Sequence, residues 1–215
     1  MPNLPISGLP AGSSLDGTEL FAIVQGGVTK YTTLNSILYG KQANNYGLFN
    51  QTGSSAPVSG STHVSGSLID GGIGTLSVPA NGFTKGDAYQ ATFSGFISCD
   101  NGTTLDLHIE SDGVRLVDTN PISLPKISNK NWRMDIDFSI NEVGGAGTAE
   151  IASAGTVSFR KDASGEVVTE IFSNINNTTF DTTIDNTLVV KAIWGNSPTD
   201  NDSIYSILFN LKKVY

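Results

Sequence analysis

The chain has 215 residues, of which 15% are charged, and its 12 basic against 20 acidic side chains give a formal charge of −8. A phosphate-binding surface needs clustered Lys and Arg, and no such cluster occurs. Nucleic acid is therefore excluded as an expected partner, and an anionic membrane surface is disfavoured on the same ground. No apolar run is long enough to cross a bilayer, and Met1-Pro2-Asn3-Leu4-Pro5 lacks the basic region and apolar core of a secretory signal. The single cysteine, Cys99, cannot close an internal disulfide and is expected to be a small buried residue.

In chain order, Pro2, Pro5 and Pro10 keep the start extended. Leu15-Asp16-Gly17 reads as a turn, and Glu19 to Val24 is a short apolar run. Gln25-Gly26-Gly27 is a second turn from which Val28 to Thr32 returns as a strand, making a hairpin. Thr33 is placed to cap a helical turn carrying Leu34, Ile37 and Leu38, ended by Gly40. About forty residues of this kind cannot bury enough surface to fold alone. Residues 41–66 are rich in Gly, Ser, Asn and Gln and read as a linker. From 67 to 215 strands recur between turn signals. The clearest is Trp132 to Ile140, where Trp132, Met134, Ile136, Phe138 and Ile140 alternate with Arg133, Asp135, Asp137 and Ser139. That period of two gives one dry face and one wet face. Tyr89 to Ile97, Leu105 to Ile109, Leu188 to Trp194 and Tyr205 to Leu211 repeat the pattern. The fold class expected is all-β: an antiparallel two-sheet jelly-roll sandwich preceded by a short extended or hairpin arm. The divisions are 1–40, arm; 41–66, linker; 67–215, head.

Few residues are placed for chemistry. His63 lies in the linker and His108 on the polar face of a strand with Asp106 and Glu110, where a solvated surface is the plain expectation. One Cys and two distant His cannot supply a zinc site. Asp135 with Asp137, and Asp181 with Asp185, are paired acids of the kind a glycosidase needs, but such pairs are common on an acidic surface. Asp200-Asn201-Asp202 offers oxygen ligands without the twelve-residue calcium-loop pattern and reads as a polar turn. No catalytic residue, metal ligand or cofactor is expected, and the chain is read as a non-enzyme.

Two stretches carry a resemblance. Ile6-Ser7-Gly8-Leu9-Pro10, Leu15-Asp16-Gly17-Thr18-Glu19-Leu20, Val24 to Lys30 and Thr32-Thr33-Leu34 resemble the N-terminal motif of tailed-bacteriophage fibre and virion-decoration proteins. The resemblance implies a segment for virion attachment. It assigns that role to Ile6, Leu9, Leu15, Gly17, Glu19, Leu20, Val24, Gly27 and Thr29. Farther on stand Leu76 to Asn81, Gly86 to Tyr89, Gly95, Leu124-Pro125 ahead of Trp132, Phe180 to Thr183, Asn186 to Leu188 and Ala192 to Trp194. Together they resemble trimeric jelly-roll virus-spike and head-fibre domains related to tumour necrosis factor.

The implied function is a structural virion protein, a trimeric spike, fibre or capsid-decoration protein mediating host attachment. It would be made in the host cytoplasm and carried on the virion surface. Its implied partners are capsid or tail proteins and a host-surface receptor such as a glycan, with no nucleic acid and no membrane insertion. The alternative is a non-viral carbohydrate-binding module or lectin-like sandwich, for which an exposed Trp132 or Trp194 would speak. The last strand adds a reading of its own. Ile204 and Leu208 on one face oppose Tyr205, Ile207 and Phe209 on the other, and a strand apolar on both faces wants two dry surroundings. Ile204 and Leu208 are therefore the expected interface residues of a homotrimer, the number three coming from the resemblance.

Overall fold

The computed structural model of the chain describes residues 20–33, 48–60, 65–162 and 164–214. It divides into two units, Met1–Asn45 and Tyr46–Tyr215. In the first, β1 (Leu20–Gln25) and β2 (Val28–Thr33) form an antiparallel hairpin. The extended start and the helical turn expected after Thr33 lie outside the described residues.

The second unit opens with five short strands: β3 (Leu48–Gln51), β4 (Val58–Ser59), β5 (Ser65–Ser67), β6 (Gly72–Thr75) and β7 (Ser77–Val78). Then come β8 (Ala88–Cys99), β9 (Thr104–Ser111), β10 (Val114–Asp118), β11 (Ile122–Ser123) and the long β12 (Ile127–Glu142). It closes with β13 (Glu150–Arg160), β14 (Val167–Asn176), β15 (Asn186–Gly195) and β16 (Ser203–Lys213). The large sheet has the order β14-β13-β12-β8-β16-β3-β6, with β4 beside β16. The small sheet has the order β10-β9-β15-β5, with β11 beside β9 and β7 beside β15. The chain passes from the large sheet at β8 to the small one, returns at β12, crosses again at β15 and ends in the large sheet. This is an all-β antiparallel sandwich wound as a jelly roll.

The strand patterns produce the core directly. Trp132, Met134, Ile136, Phe138 and Ile140 all point inward from β12, as their alternation requires. Tyr89, Ala91, Phe93 and Ile97 do so from β8, and Leu105, Leu107, Ile109, Val190, Ala192 and Trp194 meet them from the small sheet. Gly95 stands opposite Trp132, and a Cβ there would collide with the carbonyl oxygen of Tyr205. The missing side chain lets β16 close against β8 at the point where its register shifts.

Three expectations need correction. Residues 48–60 and 65–66 are not linker: β3 pairs with β16 and β6, β4 with β16, and β5 with β15. Their composition offers few apolar groups, but an edge strand needs only a sheet to supply its backbone partners. Ser206 then fastens the segment, with the Ser206 amide donating to Ser55 Oγ at 2.9 Å and Gln51 Nε2 donating to Ser206 Oγ at 3.0 Å. Secondly, the apolar runs Ala149 to Ser153 and Thr156 to Arg160 predict two strands and Asn174 to Asn177 a loop, but the structure has one unbroken strand, β13, from Glu150, and β14 runs on through Asn174 to Asn176. Thirdly, Ile204 and Leu208 do not share a face. The bulge between Ser206 and Leu208 reverses the alternation, since an extra residue turns every later side chain over. Ile204 is 0% exposed in the chain's own core beside Phe209 and Leu211, whereas Leu208 is 43% exposed. Of the two proposed interface residues only Leu208 faces outward.

Candidate functional site

Three surfaces bring together the residues singled out in the sequence. The first is the hairpin. Gly26 and Gly27 take φ of 60° and 76°, the left-handed pair that a two-residue turn of twist matching its strands demands. The register pairs Leu20 with Thr33, Ala22 with Tyr31 and Val24 with Thr29. Leu20, Ala22, Val24, Thr29 and Tyr31 thus lie on one face, and Leu20, Val24 and Tyr31 are each at least 70% exposed. Of the residues assigned to attachment, Leu20, Val24 and Thr29 share this face and Gly27 makes the turn. Ile6, Leu9, Leu15, Gly17 and Glu19 lie outside the described residues.

The second is the outer face of β9. His108 is 1% exposed, which overturns the solvated reading. Its Nε2 lies 3.2 Å from Glu110 Oε2 and its Nδ1 3.5 Å from Asp106 Oδ1. Arg115 of β10 pairs with Asp106 at 2.8 Å and with Asp118 at 2.6 Å, and Lys191 of β15 pairs with Glu110. Strand register explains the gathering, because His108 stands between Asp118 on one neighbour and Lys191 on the other. Arg115 and Lys191 thus neutralise the two carboxylates that flank the imidazole, and their side chains remain partly exposed. Burial pushes the carboxyls of Asp106 and Glu110 up. Hydrogen bonds and charges from His108 and Arg115 on Asp106, and from Lys191 and His108 on Glu110, outweigh it and hold both below the usual range.

An acid sensitivity follows. Both groups titrate lower in the folded chain than at their ordinary values of 3.8 and 4.5. Their contribution to stability is complete above those values and is lost as pH falls through the depressed native ones. The thermal midpoint should fall once the pH drops below about 4.5, and Asp106→Asn should flatten part of that fall. A midpoint that stays level between neutral pH and pH ~3 would refute the linkage.

The third surface is the outer face of the large sheet. Arg133 Nε and Nη2 donate to Asp135 at 2.6 and 2.9 Å, and Thr92 Oγ1 donates at 2.8 Å. The Arg133 hydrogen bonds hold the Asp135 carboxyl below its ordinary value against the effect of burial, the opposite of what a general acid needs. Asp137 accepts from Gln90 Nε2 at 3.1 Å. Beside it runs a groove of about 710 Å3 walled by small side chains, Ala88, Ser139, Ala152, Ala154 and Ser173, with Ile175 at its rim. A second groove of about 300 Å3 on the same face is lined by Ser94, Arg133, Ser158, Val167 and Ile207.

The remaining candidates are structural. Asp202 is fully buried, and its carboxylate accepts the backbone N–H of Asp100 at 2.7 Å and of Thr199 at 2.6 Å. Those oxygens are committed to a turn. Asp185 accepts the Ala80 N–H at 2.7 Å, and Asp181 accepts both the N–H and the hydroxyl of Thr183. Trp132 and Trp194 are 2% and 3% exposed, and their indole N–H groups donate to the carbonyls of Tyr205 and Val58. Burial, reinforced by the charge of Asp202, pushes the Cys99 thiol up to about 12, so it is a thiol and not a nucleophile at neutral pH. His63 lies outside the described residues. Sequence reasoning missed Arg115, Asp118 and Lys191 as members of the charged cluster around His108, and missed the aliphatic outer face of β14. In β14 both faces carry apolar side chains, so its alternation has no legible phase.

No protein-family model matches the sequence, and no curated protein matches it. Among solved structures the chain is similar to lectin II from Ulex europaeus, at 10% identity over 77% of this chain and 93% of the lectin. The TM-score is 0.34, too low a superposition to carry an argument about ligand or ancestry.

Proposed function

We propose that this chain is a structural virion protein, a trimeric spike, fibre or decoration protein. In this reading its hairpin unit docks it to capsid or tail proteins and its sandwich meets the host surface. It acts by binding and not by catalysis, and it is carried on the virion surface after synthesis in the host cytoplasm. The observation that carries the reading is the hairpin. A two-stranded hairpin is marginal in water by itself, yet this one presents Leu20, Val24 and Tyr31 outward on a single face. Such a face gains stability by lying on a larger partner, which is what an attachment segment does. The buried indoles of Trp132 and Trp194 weigh against the lectin-like alternative, because neither offers a platform to a sugar.

Deleting residues 1–45 tests this. The remaining chain retains both sheets of the sandwich and should fold with a native β signal in circular dichroism. Its incorporation into particles should fall to background. Normal incorporation of the folded truncation would overturn the attachment role.

A further inference from the structure

We infer that the outer face of the large sheet is the surface on which a second copy of this chain packs, with the aliphatic side chains of β14 entering the small-residue groove of the next copy. The inference rests on the trimeric reading above and assigns it a surface.

Four observations point to a second copy. The outward residues of β14 are Val167, Thr169, Ile171, Ser173 and Ile175, and Ile171 is 83% exposed. Ile207 and Leu208, pushed out by the β16 bulge, are exposed as well, and Ile207 shares a groove with Val167. Exposed aliphatic side chains on both β14 and β16 of one sheet face, joined through that groove, are unusual on a monomer. The same face also holds its complement, the groove walled by alanines and serines. Val167 and Ile171 stand in the first half of β14, and the hollow opens beside Ser173 and Ile175 in the second, an arrangement that fits a heterologous contact closing into a ring.

Charge agrees. The chain carries −8, so its copies repel. On the outward strand positions of this face Arg133, Arg160 and Lys212 nearly balance Asp135, Asp137, Glu142 and Glu150, and Glu142 is itself paired with Lys85, so most of the excess negative charge lies elsewhere.

The full chain should elute in light scattering at three times its monomer mass at micromolar concentration. Ile171→Asp with Ile175→Asp, and separately Leu208→Asp, should convert it to monomer with an unchanged β signal in circular dichroism. Ile184→Asp, at an exposed aliphatic in the loop between β14 and β15, should leave the assembly whole. If an aspartate variant loses its fold, Ile171→Ser with Ile175→Ser replaces it and should raise the dissociation constant at least tenfold. A trimer that survives these substitutions overturns the assignment of the face while leaving the trimer standing. A wild-type monomer overturns both, and particle incorporation of the truncated chain still judges the attachment role by itself.

Discussion

Replacing Phe93 with alanine should lower the stability of the sandwich by about 3–5 kcal/mol. Phe93 is fully buried in the middle of β8, and its ring stacks on Phe209 with centroids 4.2 Å apart and planes 9° apart. It stands opposite Met134 of β12 on one side and Phe209 of β16 on the other, with both flanking strands held in the sheet by their ladders. Neither neighbour can move into the vacated volume without breaking its ladder, so the cavity stays open and the cost is near the upper end for an aromatic truncation. The urea midpoint should fall while the slope of the transition stays constant. Phe93→Leu should recover a large part of the loss, because it refills most of the volume. A loss under about 1 kcal/mol for Phe93→Ala would mean that the two sheets can collapse toward each other.

Asp202→Ala should cost about 2–4 kcal/mol, more than its place in a polar loop suggests. The side chain is completely buried and contributes no apolar area. Its two oxygens take the N–H groups of Asp100 and Thr199, and Oδ1 also accepts from Thr103 Oγ1 at 3.4 Å. Through these bonds the loop ahead of β16 is tied to the turn between β8 and β9. Alanine leaves two backbone donors without partners, each costing about 1–2 kcal/mol. Asp202→Asn keeps one acceptor oxygen and presents an amide to the other donor, so about half of the loss should remain. Thermal denaturation of the two variants checks the order. Equal stability of Asp202→Ala and the wild type would show that water replaces the carboxylate.

The same residue marks the boundary of what a sequence discloses. Asp200-Asn201-Asp202 is legible as a polar turn, and the turn is there. Which oxygens face solvent and which face backbone amides depends on the turn after β8, about a hundred residues earlier in the chain. His108 is a stronger case. Its alternation with Leu107 and Ile109 correctly removes it from the core between the sheets. Alternation says nothing about what lies across the sheet, and His108 is buried all the same, between carboxylates that Arg115 and Lys191 of two other strands pair with. Residues 48–60 fail in the other direction, because composition measures what a segment can bury and not what edge it can join.

Patterns along the chain suffice for the class of fold, the dry face of β12, the inward residues of β8, β9 and β15, and the two-glycine turn of the hairpin. These follow from interactions along the chain: the period of two in a pleated strand and the positive φ that glycine tolerates. Contacts between distant segments are what bring the short strands after Leu48 into the two sheets, place His108 between charged groups, and bury Ile204 while Leu208 faces out. The last turns on a single bulge in β16. One extra residue reverses the phase of every side chain after it, and a bulge forms where the neighbouring strand leaves room, here beside Gly95.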